Sequence, residues 1–183
     1  MRIIAGTHRG TALASVGKGD AGAHLRPTSD RVRESLFSML THRDVIDGAR
    51  VLDLFAGTGA LGLEALSRGA VEALFVESGR VGQRLLAENI AKLRMEDRAK
   101  VMRNDATRLG AWPMAPFDLV FLDPPYGKGM GEKALLAALD GGWIAEDALI
   151  VWEENAPQQA PEGFARVDAR KYGDTHVTLL ERC

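Results

Sequence analysis

From residue 50 to about residue 153, short apolar runs alternate with segments whose apolar residues recur at helical spacing. The apolar runs predict strands over residues 51–55, 73–77, 100–103, 117–123 and 149–153. The segments between them predict helices over about residues 60–68, 80–93 and 130–139, with Gly69 and Gly141 as C-terminal stops. Such alternation is typical of a parallel sheet with helices on both faces and right-handed crossovers.

The C-terminal pattern differs, because residues 164–172 and 176–181 flank Gly173-Asp174 with no helix between them. Two strand-like runs around such a dipeptide predict an antiparallel hairpin. Together with the five parallel strands, this hairpin predicts an α/β fold with a seven-stranded, mostly parallel sheet.

The N-terminal part predicts a small extension to this sheet. Runs 2–5 and 11–16 flank a turn and predict a hairpin, and the glycines of residues 17–24 predict a mobile loop. Pro27 excludes helix at Arg26, and Thr28 or Ser29 is a suitable cap for a helix behind it. In that helix the apolar residues Val32, Leu36 and Leu40 recur every four positions.

Composition supports one compact domain, because 46% of the 183 residues are hydrophobic and 26% are charged. The single cysteine, Cys183, excludes an intrachain disulfide and a cysteine-based zinc site, so we predict no metal and a reducing compartment. The N-terminal residues show no apolar leader and no run of 18 apolar residues occurs, so we expect a cytoplasmic protein without membrane contact.

The net charge of −2 hides an uneven distribution. Residues 1–43 hold seven basic and three acidic residues, a net charge of +4, whereas the remaining 140 residues have a net charge of −6. A basic arm before an acidic body is an indication of nucleic-acid contact, although an unevenly charged solvated surface would show the same pattern.

Residues 53–62 are placed where the first predicted strand turns into its helix. Gly57, Gly59 and Gly62 have the dinucleotide-fingerprint spacing, and Glu77 ends the next strand, where a carboxylate can accept from both ribose hydroxyls. These features predict a ligand that contains adenosine. A glycine turn that serves packing alone is the alternative.

A nicotinamide dinucleotide and S-adenosylmethionine both fit these glycines. Asp53 favours S-adenosylmethionine, because a carboxylate repels a pyrophosphate but binds the ammonium of a methionine moiety. Asp105 follows the third strand and is a candidate acceptor for the adenine amino group, unless it only ends a polar turn. Phe55 and Ala106 complete the predicted cofactor-binding set.

The fourth strand runs directly into Asp123-Pro124-Pro125-Tyr126, and the two prolines hold this loop stiff. An exocyclic amino group on a base is a poor nucleophile, because its lone pair is delocalised into the ring. If its hydrogens bond to the Asp123 carboxylate and the Pro124 carbonyl, the lone pair can point at a methyl-sulfonium carbon. Tyr126 offers a face on which a flipped base can stack. A rigid surface turn is the alternative.

Residues 123–126 and 53–59 together resemble the amino-group methyltransferases of the class I S-adenosylmethionine superfamily. Further blocks are similar to the bacterial methyltransferases that modify the N2 atom of one guanine in 16S ribosomal RNA. These blocks are Arg2-Ile3-Ile4-Ala5-Gly6, Arg9-Gly10, Leu25-Arg26-Pro27-Thr28, Asp30-Arg31-Val32-Arg33-Glu34, Leu36-Phe37 and residues 59–70.

The resemblance implies a Rossmann-like methyltransferase domain over residues 44–183 and an RNA-docking extension over residues 1–43. It implies S-adenosylmethionine as cofactor and, as partner, 16S ribosomal RNA in the assembled or nearly assembled small subunit. We expect a monomer. Arg26, Arg31 and Arg33 are candidate phosphate contacts and Pro125 a substrate contact, although each arginine could instead form helix-surface ion pairs, such as Asp30 with Arg33.

Three other functions share some of these sequence features. A DNA adenine or cytosine amino-methyltransferase shares the Asp-Pro-Pro-Tyr chemistry but needs a larger target-recognition domain. A non-catalytic ribosome-assembly factor could keep the cofactor fold, but it would not need Asp123, Pro124 and Tyr126. A dehydrogenase fits the glycines, but no histidine or lysine is well placed for its proton transfer.

Overall fold

The computed structural model describes residues 1–16, 25 and 28–183. Its helices are α1 (Asp30–His42), α2 (Ala60–Ser67), α3 (Arg80–Lys92) and α4 (Met130–Asp140), with a 3₁₀ turn at Ala106–Arg108. Its strands are β1 (Arg50–Leu54), β2 (Glu72–Val76), β3 (Ala99–Met102), β4 (Phe117–Leu122), β5 (Ile144–Glu154), β6 (Phe164–Tyr172) and β7 (Thr175–Arg182). The predicted loop 17–24 and the predicted roles of Arg26 and Pro27 lie outside the described residues.

The strands form one seven-stranded sheet in the order β3-β2-β1-β4-β5-β7-β6. The first five are parallel, and β7 pairs antiparallel with both β5 and β6. Apolar side chains cover both faces, with Val51 and Phe75 on one side and Leu52 and Leu74 on the other. The predicted Rossmann-like α/β sheet with a C-terminal antiparallel hairpin is therefore confirmed.

The start of β5 departs from the sequence prediction, whereas the end of α4 agrees with it. Strand β5 begins at Ile144, not at residue 149, because Ile144 pairs with Phe117 across an irregularity in the β4–β5 register. The left-handed residue after α4 is Gly142 (φ 80°), whereas Gly141 keeps a right-handed conformation (φ −81°). Gly141 is nevertheless the C-cap that follows Asp140, so the predicted stop at this glycine is confirmed.

The N-terminal segment is reduced to a minimal hairpin, with one antiparallel bridge between Arg2 and Ala12. Ile3 donates to Thr11 over 2.9 Å, and Ile3 and Leu13 are buried in the same apolar cluster as Leu36 of α1. Sequence predicted a longer ladder. The described part of the segment thus packs against the body of the sheet domain.

Helix α1 begins as predicted, because the Ser29 hydroxyl accepts from the Val32 amide (3.2 Å) and caps its N-terminus. Leu36, Phe37 and Leu40 are fully buried, which anchors the helix on the sheet domain. Among residues 28–183 there is no helix long and apolar enough to cross a membrane.

Candidate active site

The carboxyl ends of β1, β2 and β4 meet at one edge of the sheet, since these strands are parallel neighbours. A cleft at this edge is lined by Asp53 and Phe55 from the end of β1, by Gly57 of the following loop and by Asp123 after β4. The structure thus brings the predicted cofactor loop and the predicted catalytic loop into one cleft. Ligands of open α/β sheets bind at this edge.

Two glycines show why this loop excludes side chains. Gly59 begins α2 in a left-handed conformation (φ 83°), and a Cβ there would lie 2.4 Å from the Leu86 side chain. Gly62 lies in the first turn of α2, where a Cβ would lie 2.4 Å from the ring of Phe75. The loop therefore turns tightly, and α2 packs directly on β2.

Phe55 has a left-handed backbone (φ 58°), which is a strained conformation for an aromatic residue. Strain of this kind concentrates at functional sites, because the surrounding structure must hold it in place. It ends β1 one residue earlier than predicted and turns the chain into the cleft. Sequence periodicity carries no signal for this conformation.

Asp53 is 1% exposed, and its Oδ2 accepts from the Gly62 amide over 3.0 Å. Burial raises the pKa of Asp53 well above its usual value; the Gly62 hydrogen bond opposes this, and the charges of Glu77 and Glu153 add to it. The ionised carboxylate is therefore poorly stabilised by the protein alone. A cationic group in the cleft would be its natural counter-ion.

Glu77 supports the glycine loop from the end of β2. Its Oε1 accepts from the Gly57 amide and its Oε2 from the Gly79 amide, both over 2.7 Å. A Cβ at Gly82 would lie 2.9 Å from the Glu77 carboxyl carbon, so a glycine there makes room for it. Glu77 thus contacts the glycine loop, which the sequence did not predict, and ribose binding by Glu77 stays a prediction.

Asp105 and Ala106 lie beyond β2, at the end of the edge strand β3 and outside the residues that line the cleft. The Thr107 hydroxyl and amide donate to Asp105 Oδ1 over 2.7 and 2.9 Å and hold the pKa of Asp105 below its usual value. Asp105 also caps the 3₁₀ turn, which matches the alternative that it ends a polar turn. A role in adenine binding stays a prediction.

The Asp-Pro-Pro-Tyr loop is held to the sheet through its end. Glu154 at the end of β5 is 6% exposed, and its Oε1 accepts from the Gly127 amide over 3.2 Å. Pro124 is buried, Asp123 and Tyr126 are half-buried, and Pro125 is exposed. The loop therefore presents Asp123 to the cleft from a fixed backbone.

Thr28 and Glu153 belong to this region, although the sequence analysis did not assign them to it. The Thr28 hydroxyl donates to Glu153 Oε2 over 3.1 Å, and Thr28, Leu25 and Val16 line the cleft. The N-terminal segment thus forms one wall of the candidate active site. The pair Glu153-Glu154 at the end of an apolar strand was the available signal, since buried charges there require partners.

Arg33 corrects one prediction, because its side chain is fully buried and cannot reach the phosphates of an RNA. Its guanidinium pairs with Asp30 and donates to the Arg2 carbonyl (2.8 Å) and to Glu64 (3.3 Å). The Asp30–Arg33 ion pair is the alternative that helical spacing indicated. Arg31, by contrast, is exposed on α1.

Comparisons with known proteins agree with this architecture. The model of a family described as Conserved hypothetical protein 95 matches residues 1–181. Ribosomal RNA small subunit methyltransferase D of Escherichia coli K12 is 41% identical over 185 aligned residues, covering 100% of this chain and 90% of its own. The putative rRNA methyltransferase YlbH of Bacillus subtilis is 40% identical, covering 100% of this chain and 99% of its own.

A solved structure leads to the same conclusion. The putative methyltransferase yhhF from Escherichia coli superimposes with a TM-score of 0.84 at 38% identity, covering 100% of this chain and 97% of its own. The family resemblance found in the sequence is thereby confirmed. Because a family model matches nearly the whole chain and full-length relatives reach 40% identity or more, the chain belongs to the Conserved hypothetical protein 95 family of methyltransferases.

Proposed function

We propose that this protein transfers a methyl group from S-adenosylmethionine to the exocyclic N2 amino group of a guanine in 16S ribosomal RNA. The observation that carries the proposal is the single cleft lined by both Gly57 of the cofactor loop and Asp123 of the Asp-Pro-Pro-Tyr loop. The names of the full-length relatives support small-subunit ribosomal RNA as the substrate. The N2 atom of guanine rests on the family resemblance in the sequence.

The cleft fits this cofactor in its charge. Asp53 is a buried carboxylate whose ionised form the protein destabilises, so the ammonium of a methionine moiety would relieve an existing cost. Gly57 lines the cleft without a side chain, so its backbone is open to a ligand. When bound, S-adenosylmethionine supplies an electrophilic methyl group on a sulfonium.

The residues of the chain then orient the nucleophile. Asp123 and the Pro124 carbonyl accept hydrogen bonds from the target amino group, so that its lone pair leaves conjugation with the ring. Asp123 also stabilises the positive charge that develops on the nitrogen, and Tyr126 stacks on the flipped base. Because Glu154 holds the Gly127 amide, these groups are positioned before the substrate arrives.

The partner under this proposal is the assembled or nearly assembled small subunit, met in the cytoplasm by a monomeric enzyme. Residues 1–43 supply the RNA-docking extension, and residues 44–183 the catalytic domain. Of the three arginines predicted to contact phosphate, Arg31 is the exposed one among the described residues. Arg26 lies outside them.

The test uses small subunits from cells in which the gene for this protein is deleted. The purified protein with S-adenosylmethionine should restore one N2-methylguanosine in 16S ribosomal RNA, located by mass spectrometry of nuclease fragments. Asp123→Ala should lower kcat by at least about 100-fold while the Kd for S-adenosylmethionine changes little. Asp147→Ala, at an exposed aspartate on β5, is the control.

Two results would overturn the proposal. Identical modification of the ribosomal RNA with and without the gene would exclude this substrate, and a methyl group on an adenine or cytosine amino group would exclude guanine. Full turnover by Asp123→Ala would remove the assigned role of the Asp-Pro-Pro-Tyr loop.

A further inference from the structure

A second groove lies between α1 and the turn that joins β6 to β7. Arg31, Val32 and Ser35 of α1 form one side, and Tyr172 and Gly173 form the other. Its volume is about 440 Å³, which is in the range of small-ligand sites. The sequence predicted Tyr172 and Gly173 only as parts of the C-terminal hairpin.

The groove is located at the same sheet edge as the candidate active site. Because β7 runs antiparallel to β5, the β6–β7 turn lies beside the carboxyl end of β5. At this end Glu154 lies opposite His176 in the strand register. Glu154 also accepts from the Gly127 amide of the catalytic loop. The turn and the catalytic loop are therefore neighbours across the end of β5.

Helix α1 leads from the cleft to the same groove. Thr28 lines the cleft and bonds to Glu153, and Arg31 follows within the first turn of the helix. Arg31 and Tyr172 therefore lie on the path from the cleft along α1.

The two side chains offer different chemistry to one ligand. Arg31 is exposed and forms no ion pair with any residue that the structure describes, so its guanidinium is available to an anion. Tyr172 is half-buried and packs against the apolar cluster beside α1, which holds its ring in place. Desolvation raises the pKa of Tyr172, so its hydroxyl carries no charge at neutral pH.

We propose that this groove binds a nucleotide of the RNA strand that flanks the methylated guanosine, with its base stacked on Tyr172 and its phosphate paired with Arg31. The inference rests on the proposed function and deepens it. An aromatic face beside a guanidinium is the combination that binds unpaired nucleotides without reading their sequence. The exposed guanidinium of Arg31 favours a polyanion as the occupant, because Arg31 has no ion-pair partner among the described residues.

The experiment measures methylation kinetics and binding on the gene-deleted small subunits described above. Tyr172→Ala should raise the KM for subunits by about 5- to 150-fold, because stacking on the ring is lost, while kcat and the Kd for S-adenosylmethionine stay unchanged. Tyr172→Phe should restore the wild-type KM, since the ring is kept. This rescue separates stacking from a structural role of the hydroxyl.

Arg31→Ala tests the phosphate contact. The plot of log K for subunit binding against log salt should become shallower by about one unit, as expected when one phosphate contact is removed. Arg166→Ala is the matched control, because Arg166 is an exposed arginine on the same strand as Tyr172 and about 20 Å away along β6. It should leave KM and salt dependence unchanged.

Photo-cross-linking from a benzophenone amino acid at Ser35 identifies the occupant. Recovery of 16S ribosomal RNA in the cross-link supports the inference, and recovery of ribosomal protein alone overturns it. Wild-type kinetics for both Tyr172→Ala and Arg31→Ala would also overturn it. If the wild-type enzyme itself modifies no ribosomal RNA, the proposed function fails instead, which is a separate outcome.

Discussion

Replacing Glu64 by leucine should release the N-terminal segment from the body of the protein. Glu64 is fully buried in α2, and it accepts from the Ile4 amide (2.8 Å), the Ala5 amide (3.1 Å), Arg68 Nε (2.8 Å) and Arg33 (3.3 Å). One carboxylate thus satisfies two backbone amides and two guanidinium groups. Leucine has a similar volume but accepts no hydrogen bond.

The expected loss of stability follows from the groups that lose Glu64 as their hydrogen-bond acceptor. Removing one partner of a buried ion pair costs about 3–5 kcal/mol. Here Arg33 keeps Asp30 but loses Glu64, and the Ile4 and Ala5 amides lose their acceptor as well. At about 2–4 °C per kcal/mol for a chain of this length, Glu64→Leu should lower Tm by about 6–20 °C. Glu34→Leu, at an exposed acid on α1, should change stability by no more than about 0.5 kcal/mol.

Replacing Arg33 instead of Glu64 should cost less stability, and this difference can be measured. Arg33→Met leaves Glu64 with Arg68 and both amides, and it removes a guanidinium whose pKa burial already lowers. We expect a loss of about 1–2 kcal/mol. The double variant should lose less stability than the sum of the two single losses, because it no longer buries an Arg33 guanidinium that lacks Glu64.

The assay is urea unfolding followed by circular dichroism, with the free energy of unfolding taken from the linear extrapolation. Equal destabilisation by Glu64→Leu and Arg33→Met, or strictly additive effects in the double variant, would refute the roles given to the hydrogen bonds and ion pairs of Glu64.

Two predictions concern the cofactor cleft. Asp53→Asn should weaken S-adenosylmethionine binding by about 10- to 150-fold in calorimetry, since a hydrogen bond to a charged group contributes about 1.5–3 kcal/mol; an unchanged Kd would exclude the ammonium contact. Because burial raises the pKa of Asp53 in the folded state, the wild type should lose stability relative to Asp53→Asn as pH rises from about 4 through that raised pKa, and parallel pH–stability curves would contradict this. Gly57→Val should cost about 1–3 kcal/mol of stability and abolish cofactor binding, because Gly57 has φ 57° and its amide donates to Glu77. The control Gly110→Val, at a position with open space, should change neither stability nor cofactor binding.

Much of the fold was accessible from local pattern. The β1, β2 and β4 runs are short, apolar and followed by turns, so their existence and order were predictable, and parallel alternation implied one sheet edge for Asp53 and Asp123. The exact ends of the strands were harder to predict from the sequence. The left-handed Phe55 and the extension of β5 to Ile144 depend on neighbouring strands and loops that no local window contains.

The two arginines of α1 show the same difference between local pattern and tertiary packing. Arg31 and Arg33 are two residues apart on α1, and the sequence gave both of them the same candidate role. A separation of two residues places them on different sides of the helix, and only packing decides which side meets Glu64 and which meets solvent.

The sequence by itself determined the chemistry of the loops and the order of the elements, because turn glycines, stiff prolines and apolar periodicity act through local backbone geometry. The tertiary structure alone decided that Thr28 bonds to Glu153, that Arg33 is buried on Glu64, and that Arg31 shares a groove with Tyr172. These contacts join residues 31 to 141 positions apart along the chain. They form only when the sheet brings distant strands and α1 to one edge, so no local pattern encodes them.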